Sequence, residues 1–249
     1  MAKCSRLTRC ILVVSSTICS AATISSSPRP DVSKILDGIS RNDQRKQANL
    51  QDWSVIRHYT LKNSRASAPA ELTVRVSFER GVGKSFEILS ATNANGMCRK
   101  VLDRILAAEM EASRPQAEEN RLNARNYEFE LLGTETLSGR PSYVLSLRPR
   151  RKSRFLLQGK VWVDAENFGL LKIEGHPSAN LSFWVGKPEI TQEFQKYGDF
   201  WMSSHNRSLS DSCILGKSEL TIDYSRYELN TRAAQSLAMR NARPQSALE

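Results

Sequence analysis

Apolar and polar residues alternate along most of this chain, and that pattern predicts antiparallel sheet. A period of two gives each strand one apolar face and one solvated face. The clearest stretch, 138–175, predicts three consecutive strands separated by turn residues at 138–141 and 164–167. The residues predicted to point inward from these strands are Tyr143, Leu145, Leu147, Phe155, Leu157, Val161, Val163, Leu171 and Ile173.

Two segments show helical spacing instead. Asp31 is placed to cap a helix that continues, increasingly polar, to about residue 49. Its apolar positions, three or four residues apart, are Val32, Ile35, Leu36 and Ile39. A second helix is predicted over 97–113, with an apolar stripe of Cys98, Val101, Leu102, Ile105 and Leu106.

The predicted order is helix, three strands, helix, then about seven strands. Consecutive antiparallel strands with two helices indicate an α+β, mainly β protein. We expect a strongly curved antiparallel sheet, an unclosed half-barrel, with the helices covering its concave face. This domain is expected to span 31–230, and the weakly apolar residues 231–249 predict a disordered tail.

The first 22 residues have the composition of a signal peptide. Basic residues come first, an apolar run of 10–22 follows, and its small final residues predict cleavage after Ala22. That run is too short to cross a bilayer comfortably, so we expect an exported protein with a Ser/Pro-rich linker at 23–30. Lipid anchoring at Cys19 stays open as an alternative, although Ile18 is larger than the residue that usually precedes a lipidated cysteine.

The charge balance favours anionic partners. Loss of Lys3, Arg6 and Arg9 with the signal lowers the formal net charge from +10 to +7. Such a charge attracts phospholipid head groups, and an exported protein rarely meets nucleic acid, so no nucleic-acid partner is expected. A solvated basic surface without a specific partner is the alternative.

Two cysteines remain after cleavage, Cys98 and Cys213. An exported protein meets an oxidising compartment, where a disulfide between them is favoured by the setting. Two buried thiols are the alternative, and the Cα separation that decides between the two is a matter of structure.

Signatures of catalysis and metal binding are absent from the sequence. It lacks G-x-S-x-G, H-E-x-x-H and C-x-x-C, and His58, His176 and His205 lie in separate segments without ligand spacing. Gly83-Lys84-Ser85 resembles the end of a phosphate-binding loop, but Phe78 replaces the first glycine, so a hairpin turn is predicted there. We therefore expect a non-enzymatic protein without cofactor or metal.

Three segments of the predicted meander resemble a known family. They are YVLSLRP at 143–149, GKVWVD at 159–164 and LLKIE at 170–174. A strand ending in Val-Trp-Val-Asp, followed by a strand with Lys-Ile-Glu, is similar to the periplasmic lipoprotein carriers of the LolA and LolB type. The resemblance covers about 32–230 and implies a periplasmic half-barrel, here expected to be monomeric, whose apolar cavity receives acyl chains of a lipid or lipoprotein.

Bulky inward residues from several elements are the candidates for lining such a cavity. An ordinary sheet–helix core is the alternative for them. Each buried CH₂ of a ligand would contribute about 0.8 kcal/mol. The candidates are Trp53, Tyr59, Phe78, Phe86, Leu102, Leu106, Phe129, Tyr143 and Phe155.

Arg57 falls on the same predicted face as Trp53 and Tyr59. A buried guanidinium needs acceptors, and bonds to backbone carbonyls of a covering helix would latch the cavity shut. The carriers are known for an inward arginine of this kind. A rim arginine with only its stem buried is the alternative.

A basic cluster around Pro149 marks a predicted hairpin tip. One hypothesis is docking on an anionic membrane surface, to which each basic residue adds about 1 kcal/mol. The alternative is a solvated turn whose charges keep a sheet edge from pairing. The cluster comprises Arg148, Arg150, Arg151, Lys152 and Arg154.

Two functions from different classes follow. The first is an exported binding protein that holds a lipid or lipoprotein acyl chain. The second is an envelope protein-interaction or sensor module of the same fold, with a filled core and no lipid ligand. An unfilled inner volume of several hundred Å³, the usual size of a ligand site, would distinguish the first from the second.

Overall fold

The computed structural model describes residues 31–93, 96–112, 120–179, 187–212 and 216–231. The predicted signal peptide, linker and nearly all of the predicted tail lie outside these ranges. Two helices are present in them, α1 (Val32–Asn49) and α2 (Gly96–Ala112). The ten strands are β1 (Leu50–Asn63), β2 (Ala70–Glu79), β3 (Gly83–Thr92), β4 (Tyr127–Leu137), β5 (Arg140–Pro149), β6 (Leu157–Asp164), β7 (Leu170–Pro177), β8 (Glu189–Tyr197), β9 (Phe200–Ser212) and β10 (Gly216–Thr231).

All ten strands belong to one antiparallel sheet in the order β3-β2-β1-β10-β9-β8-β7-β6-β5-β4. Within the described ranges β3 and β4 are its edges and do not pair with each other, so the sheet stays open. The predicted class, mainly β with an unclosed antiparallel sheet, is confirmed. The predicted order of helix, three strands, helix and seven strands is also confirmed.

Both helices cover the same face, here called the inner face. Directly paired residues of neighbouring strands share a face. Tyr59 and Leu72 belong to the cluster beneath α2, whereas Val161 and Leu145 belong to the cluster beneath α1. One row of paired residues connects the two, running through Leu72, Tyr59, Ile222, Asn206, Gln192, Ile173, Val161, Leu145 and Leu131.

The α1 cluster is the larger core. Asp31 caps the helix by accepting the Ser33 N–H at 3.2 Å, as its position predicts. Ile35 and Ile39 are buried from the helix, and Val32 and Leu36 pack beside them. The buried sheet residues beneath them include Leu145, Leu147, Val161 and Val163.

The α2 cluster is a second core on the inner face. Leu102 is fully buried, and Ile105 and Leu106 pack around it, as the apolar stripe predicts. The side chains of Cys98 and Val101 lie outside the described part of the structure. Beneath the helix the buried sheet residues are Val55, Tyr59, Leu72, Val74, Val76 and Ile222.

The predicted inward position of Phe155 is wrong. β6 begins at Leu157, and Phe155 lies in the preceding turn, where its N–H donates to the Ser153 hydroxyl at 3.1 Å. Leu156 is the residue that is fully buried in the α1 cluster. The Leu157 N–H donates to the Tyr127 hydroxyl at 3.1 Å and so holds the start of the strand in this register.

Leu171 also differs from its prediction. The β6–β7 pairing shifts between Trp162↔Lys172 and Val163↔Leu170, which leaves Leu171 as an extra residue of a β-bulge. Leu171 therefore packs with Val144 and Trp162 on the outer face. Leu170 takes the predicted inward position and packs against the α1 cluster.

The β6–β7 turn is built around Asp164. Its carboxylate is 1% exposed and accepts Arg140 Nε at 2.5 Å. The same carboxylate accepts the N–H groups of Glu166 and Asn167, both at 3.0 Å. Burial alone would raise the pKa of Asp164, but these donors, Arg140 foremost, hold it below its usual value.

This turn also fixes α1. Asn42 of the helix donates to the carbonyl of Asn167 at 2.7 Å. Phe168 adopts φ +58°, in the left-handed region, and stacks on Tyr143 with ring centroids 6.4 Å apart. Its ring lies so close to Gly38 that a Cβ there would overlap it. Asp164, the last residue of the Val-Trp-Val-Asp segment, thus holds the turn that contacts α1.

We expect Gly38→Ala to destabilise the protein, although alanine normally stabilises a helix interior by about 0.5–1 kcal/mol relative to glycine. The added methyl group would push Phe168 and α1 apart, at a cost of about 1–3 kcal/mol. Urea unfolding of the variant measures the sign directly. Ser40→Ala, an exposed change on the same helix, is the control, and a more stable Gly38→Ala variant would contradict the close contact.

We expect Asp164→Asn to be about 1–3 kcal/mol less stable than the parent protein at pH 7, because the hydrogen bonds it loses are to a charged carboxylate. The native pKa of Asp164 is lowered, so its contribution is complete above the unfolded pKa and is lost as the pH falls through the native pKa. The difference between the two proteins should therefore shrink below about pH 4. A constant difference between pH 7 and pH 2.5 would contradict this role.

Candidate functional site

A buried ion pair joins the sheet to α2. Alternation along β1 places Arg57 on the inner face with Trp53, Val55 and Tyr59. Arg57 is only 6% exposed, and its Nη1 pairs with Oε2 of Glu109 on α2. The Tyr59 hydroxyl donates to the other carboxylate oxygen of Glu109 at 3.2 Å and accepts from Arg57 Nη1 at 3.4 Å.

The surroundings keep Arg57 charged and its tyrosine neighbours neutral. Burial alone would lower the pKa of Arg57, but Glu109, with Tyr224 and Tyr59, holds that pKa above its usual value. Burial followed by the charge of Glu109 raises the pKa of Tyr59. Burial likewise raises the pKa of Tyr224 to about 12. The ring of Tyr224 also lies 5.0 Å from the guanidinium carbon, a cation–π distance.

The sequence indicated the face of Arg57 but not its partner. Backbone carbonyls of the covering helix were the expected acceptors, whereas the structure supplies a carboxylate from that helix. Glu109 lies seven residues after Leu102 and three after Leu106, which is the spacing of one helix face. A single acid in line with an apolar stripe was the available signal.

A second cation occupies the same face. β3 begins at Gly83, so Lys84 lies in a strand and the predicted hairpin turn at 83–85 is wrong; the turn precedes it. Lys84 pairs with Phe78, which pairs with Trp53, and the three side chains share the inner face. The Lys84 ammonium lies 5.8 Å from the centre of the Trp53 ring.

Six of the nine predicted cavity-lining residues meet beneath or beside α2. Tyr59 and Leu102 are fully buried in the α2 cluster. Trp53, Phe86 and Leu106 pack against it, half-buried. Phe78 stacks on Trp53 with ring centroids 5.8 Å apart and an angle of 18° between the rings.

The other three lie elsewhere. Phe129 and Tyr143 pack against the α1 cluster. Phe155 lies in the turn before β6, with the Arg154 guanidinium 4.9 Å from its ring centre. In the row that connects the two clusters, β9 and β8 contribute the polar residues Asn206 and Gln192. The predicted lining residues are therefore divided between two cores rather than gathered around one.

One open depression of about 640 Å³ lies at an end of the sheet. Its lining residues are mostly of polar or charged type and include none of the nine predicted cavity-lining residues. An apolar cavity that holds a ligand therefore stays a prediction. The lining residues are Lys62, Asn63, Ser64, Lys187, Glu189, Leu209, Ser210, Asp211, Lys217, Ser218 and Glu219.

The basic hairpin cluster lies beside the edge strand β4. Arg148 pairs with Glu130 at 2.9 Å, and Arg150 pairs with Glu128 at 3.0 Å. Arg151 Nη1 donates to the side chain of Asn126 at 2.9 Å. All four members of the two ion pairs are exposed, and such pairs contribute about 0–1 kcal/mol. Membrane docking by this cluster stays a prediction.

The described ranges contain no group of three or more His, Cys, Asp or Glu placed to hold a metal ion. Neither helix in those ranges is long and apolar enough to cross a membrane. Cys213 and the side chain of Cys98 fall outside the described residues, so their pairing also stays a prediction.

No protein-family model and no curated protein matches this chain. Solved structures that resemble it include a putative outer membrane lipoprotein-sorting protein domain from Vibrio parahaemolyticus, at 14% identity and a TM-score of 0.45, covering 88% of this chain and 95% of that one. A DUF1329 family protein from Desulfovibrio piger is 14% identical, with a TM-score of 0.44 and coverage of 80% and 93%. A LolA superfamily protein from Nitrosomonas europaea is 14% identical, with a TM-score of 0.41 and coverage of 81% and 94%.

Two of these names agree with the resemblance seen in the sequence. At 14% identity, these likenesses are ones of overall structure.

We expect Glu109→Gln to cost more stability than Arg57→Met. The Arg57 side chain is 7% exposed, so removing its partner leaves a buried charge, at a cost of about 3–5 kcal/mol, whereas Glu109 is 24% exposed and keeps some solvent. The double variant should recover part of that loss, and urea unfolding of all four proteins measures the coupling. Arg75→Met, which breaks the exposed pair with Glu87, is the control, with an expected cost of at most about 1 kcal/mol.

Proposed function

We propose that this chain is a non-enzymatic binding protein that holds an acyl chain of a lipid or lipoprotein on the inner face beneath α2. The observation that carries the proposal is the buried Arg57–Glu109 pair, which ties α2 to the sheet above a set of aromatic side chains. A buried ion pair is often no better for stability than apolar residues of the same volume. Its presence beneath a covering helix is therefore better explained by a contact that must open.

The energies of opening and binding are comparable. Breaking a buried pair costs about 3–5 kcal/mol when one partner is left behind. Each CH₂ of an entering chain contributes about 0.8 kcal/mol, so roughly five buried methylene groups offset that cost. A fatty acyl chain has more methylene groups than this, whereas a ligand with fewer than about five does not offset the cost.

The predicted periplasmic location and the basic hairpin cluster both support this proposal. The predicted signal peptide would export the chain to the periplasm, where membrane lipids are at hand. Arg148, Arg150, Arg151, Lys152 and Arg154 would then bring it to an anionic membrane surface. Arg148 and Arg150 have acidic partners, which weakens their share of this attraction.

A second candidate function is a protein-interaction module with a filled core. The observation in its favour is that Val55, Val74, Val76 and Leu102 are fully buried, as in an ordinary core. In that case the partner would bind the outer face or the basic hairpin, and α2 would stay in place.

Native mass spectrometry with lipid extraction separates the two functions. We expect residues 23–249, purified from the periplasm of their own host, to carry phospholipid or an acylated peptide. Phe86→Asn should displace that ligand because Phe86 borders the α2 cluster, whereas Phe129→Asn, a matched change beside the α1 cluster, should not. A mass without ligand, and no binding of added lipid, would exclude the carrier and leave the interaction module.

A further inference from the structure

The inner face beneath α2 carries more positive than negative charge. Among the described residues, Lys84 interacts electrostatically with both Arg57 and Lys46, and the Glu109 carboxylate interacts with Arg57 and Lys84. Asp43, one turn before Lys46 on α1, adds a partial counter-charge that it shares with Arg121 at 3.5 Å. The Glu109 carboxylate therefore counters the charges of both the Arg57 guanidinium and the Lys84 ammonium.

The hydrogen-bond donors of the Arg57 guanidinium are not all satisfied by the described residues. Its Nη1 binds Glu109 and Tyr59, but its Nε is buried and has no hydrogen-bond acceptor among the described residues. A buried donor without an acceptor costs about as much as a lost hydrogen bond, and a charged donor costs more. Arg57 as a whole is 94% buried, since it is 6% exposed, so solvent does not supply the acceptor.

Lys84 adds to the same imbalance from the neighbouring strands. Its ammonium lies over the Trp53 ring on the inner face, and the residue is half-buried. Burial lowers the pKa of Lys84, and the positive charge of Arg57 lowers it further, with Glu109 only partly compensating. Burial also lowers the pKa of Lys46. An additional anion would stabilise all three cations.

We propose that Arg57 and Lys84 together bind the oxyanion head, a phosphate or a carboxylate, of an amphiphilic ligand. The head would accept from Arg57 Nε and the Lys84 ammonium, and the apolar tail would lie along Trp53, Phe78 and Phe86. The tail rests on the function proposed above, whereas the head does not. The ligand class is thus narrowed from any acyl chain to an anionic amphiphile.

Glu109 is the internal competitor of this head group. It offers Arg57 a carboxylate from α2, which is the same chemistry as the ligand head. The guanidinium has one positive charge, so a ligand anion that takes it weakens its bond to Glu109. Glu109 retains 24% exposure and can turn to solvent when displaced. Binding of the head is thereby coupled to release of α2 from the sheet.

The competition predicts effects of opposite sign at two residues. Lys84→Met removes a ligand-binding cation and should weaken binding of dodecyl phosphate about tenfold, as expected for one hydrogen bond to a charged group. Glu109→Gln removes the competitor and should strengthen it by a similar factor. Lys160→Met, on the exposed side of β6, is the matched control and should leave binding unchanged. A purely structural pair would give weaker binding in both variants.

Isothermal titration of residues 23–249 with dodecyl phosphate, lauric acid, dodecanol and inorganic phosphate tests the proposal without depending on any variant. We expect both anionic amphiphiles to bind at least about tenfold more tightly than dodecanol. Equal binding of dodecanol and the anionic amphiphiles would overturn the anion site and leave the acyl-chain carrier intact.

Binding of inorganic phosphate alone, lost in Lys84→Met, would support the anion site with a free anion as its ligand while excluding the carrier. Binding of no ligand would overturn both. Thermal unfolding of each variant identifies those that are folded at the titration temperature, and only these enter the comparison.

Discussion

The structure depends on covering the inner face of a sheet that does not close. A closed barrel buries its interior with its own strands, whereas this open sheet needs two helices to keep Leu145 and Tyr59 from water. Each helix is long enough to cover only part of ten strands. Each helix accordingly covers its own apolar cluster, and Asn206 and Gln192 lie in the row between these clusters. Two covers make two independent attachments possible, and the chain uses different chemistry for each.

Helix α1 is attached to the sheet by close packing and a hydrogen bond to the backbone. Gly38 admits the ring of Phe168 at a distance that no other residue allows, and Asn42 bonds the backbone of the same turn. These contacts have no substitute that a ligand could offer. Helix α2 is attached to the sheet by the ion pair between Arg57 and Glu109. Another anion could replace the Glu109 carboxylate, so the proposed ligand would change the position of this second helix.

Alternation in the sequence was sufficient to predict the strands, the two helices and the face on which Arg57 lies, because each of these follows from local periodicity. It failed at Leu171, where a β-bulge shifts the register, and at Phe155, where a tyrosine from another strand fixes the start of β6. The partner of Arg57 was missed for a related reason. Which residue of α2 faces it depends on how the helix lies on the sheet, and that orientation is set by packing between distant segments.

The basic residues of this chain lie in two different environments, one exposed and one on the inner face. The conspicuous basic cluster at the hairpin is exposed, and Arg148 and Arg150 already have acidic partners, so solvent and salt weaken what it contributes. Arg57 and Lys84 attract little notice in the sequence, yet they lie where the effective dielectric is lower and each charge acts more strongly. Selectivity for an anionic ligand is therefore expected from these two interior cations, and the surface cluster would at most bring the protein to the membrane where such ligands occur.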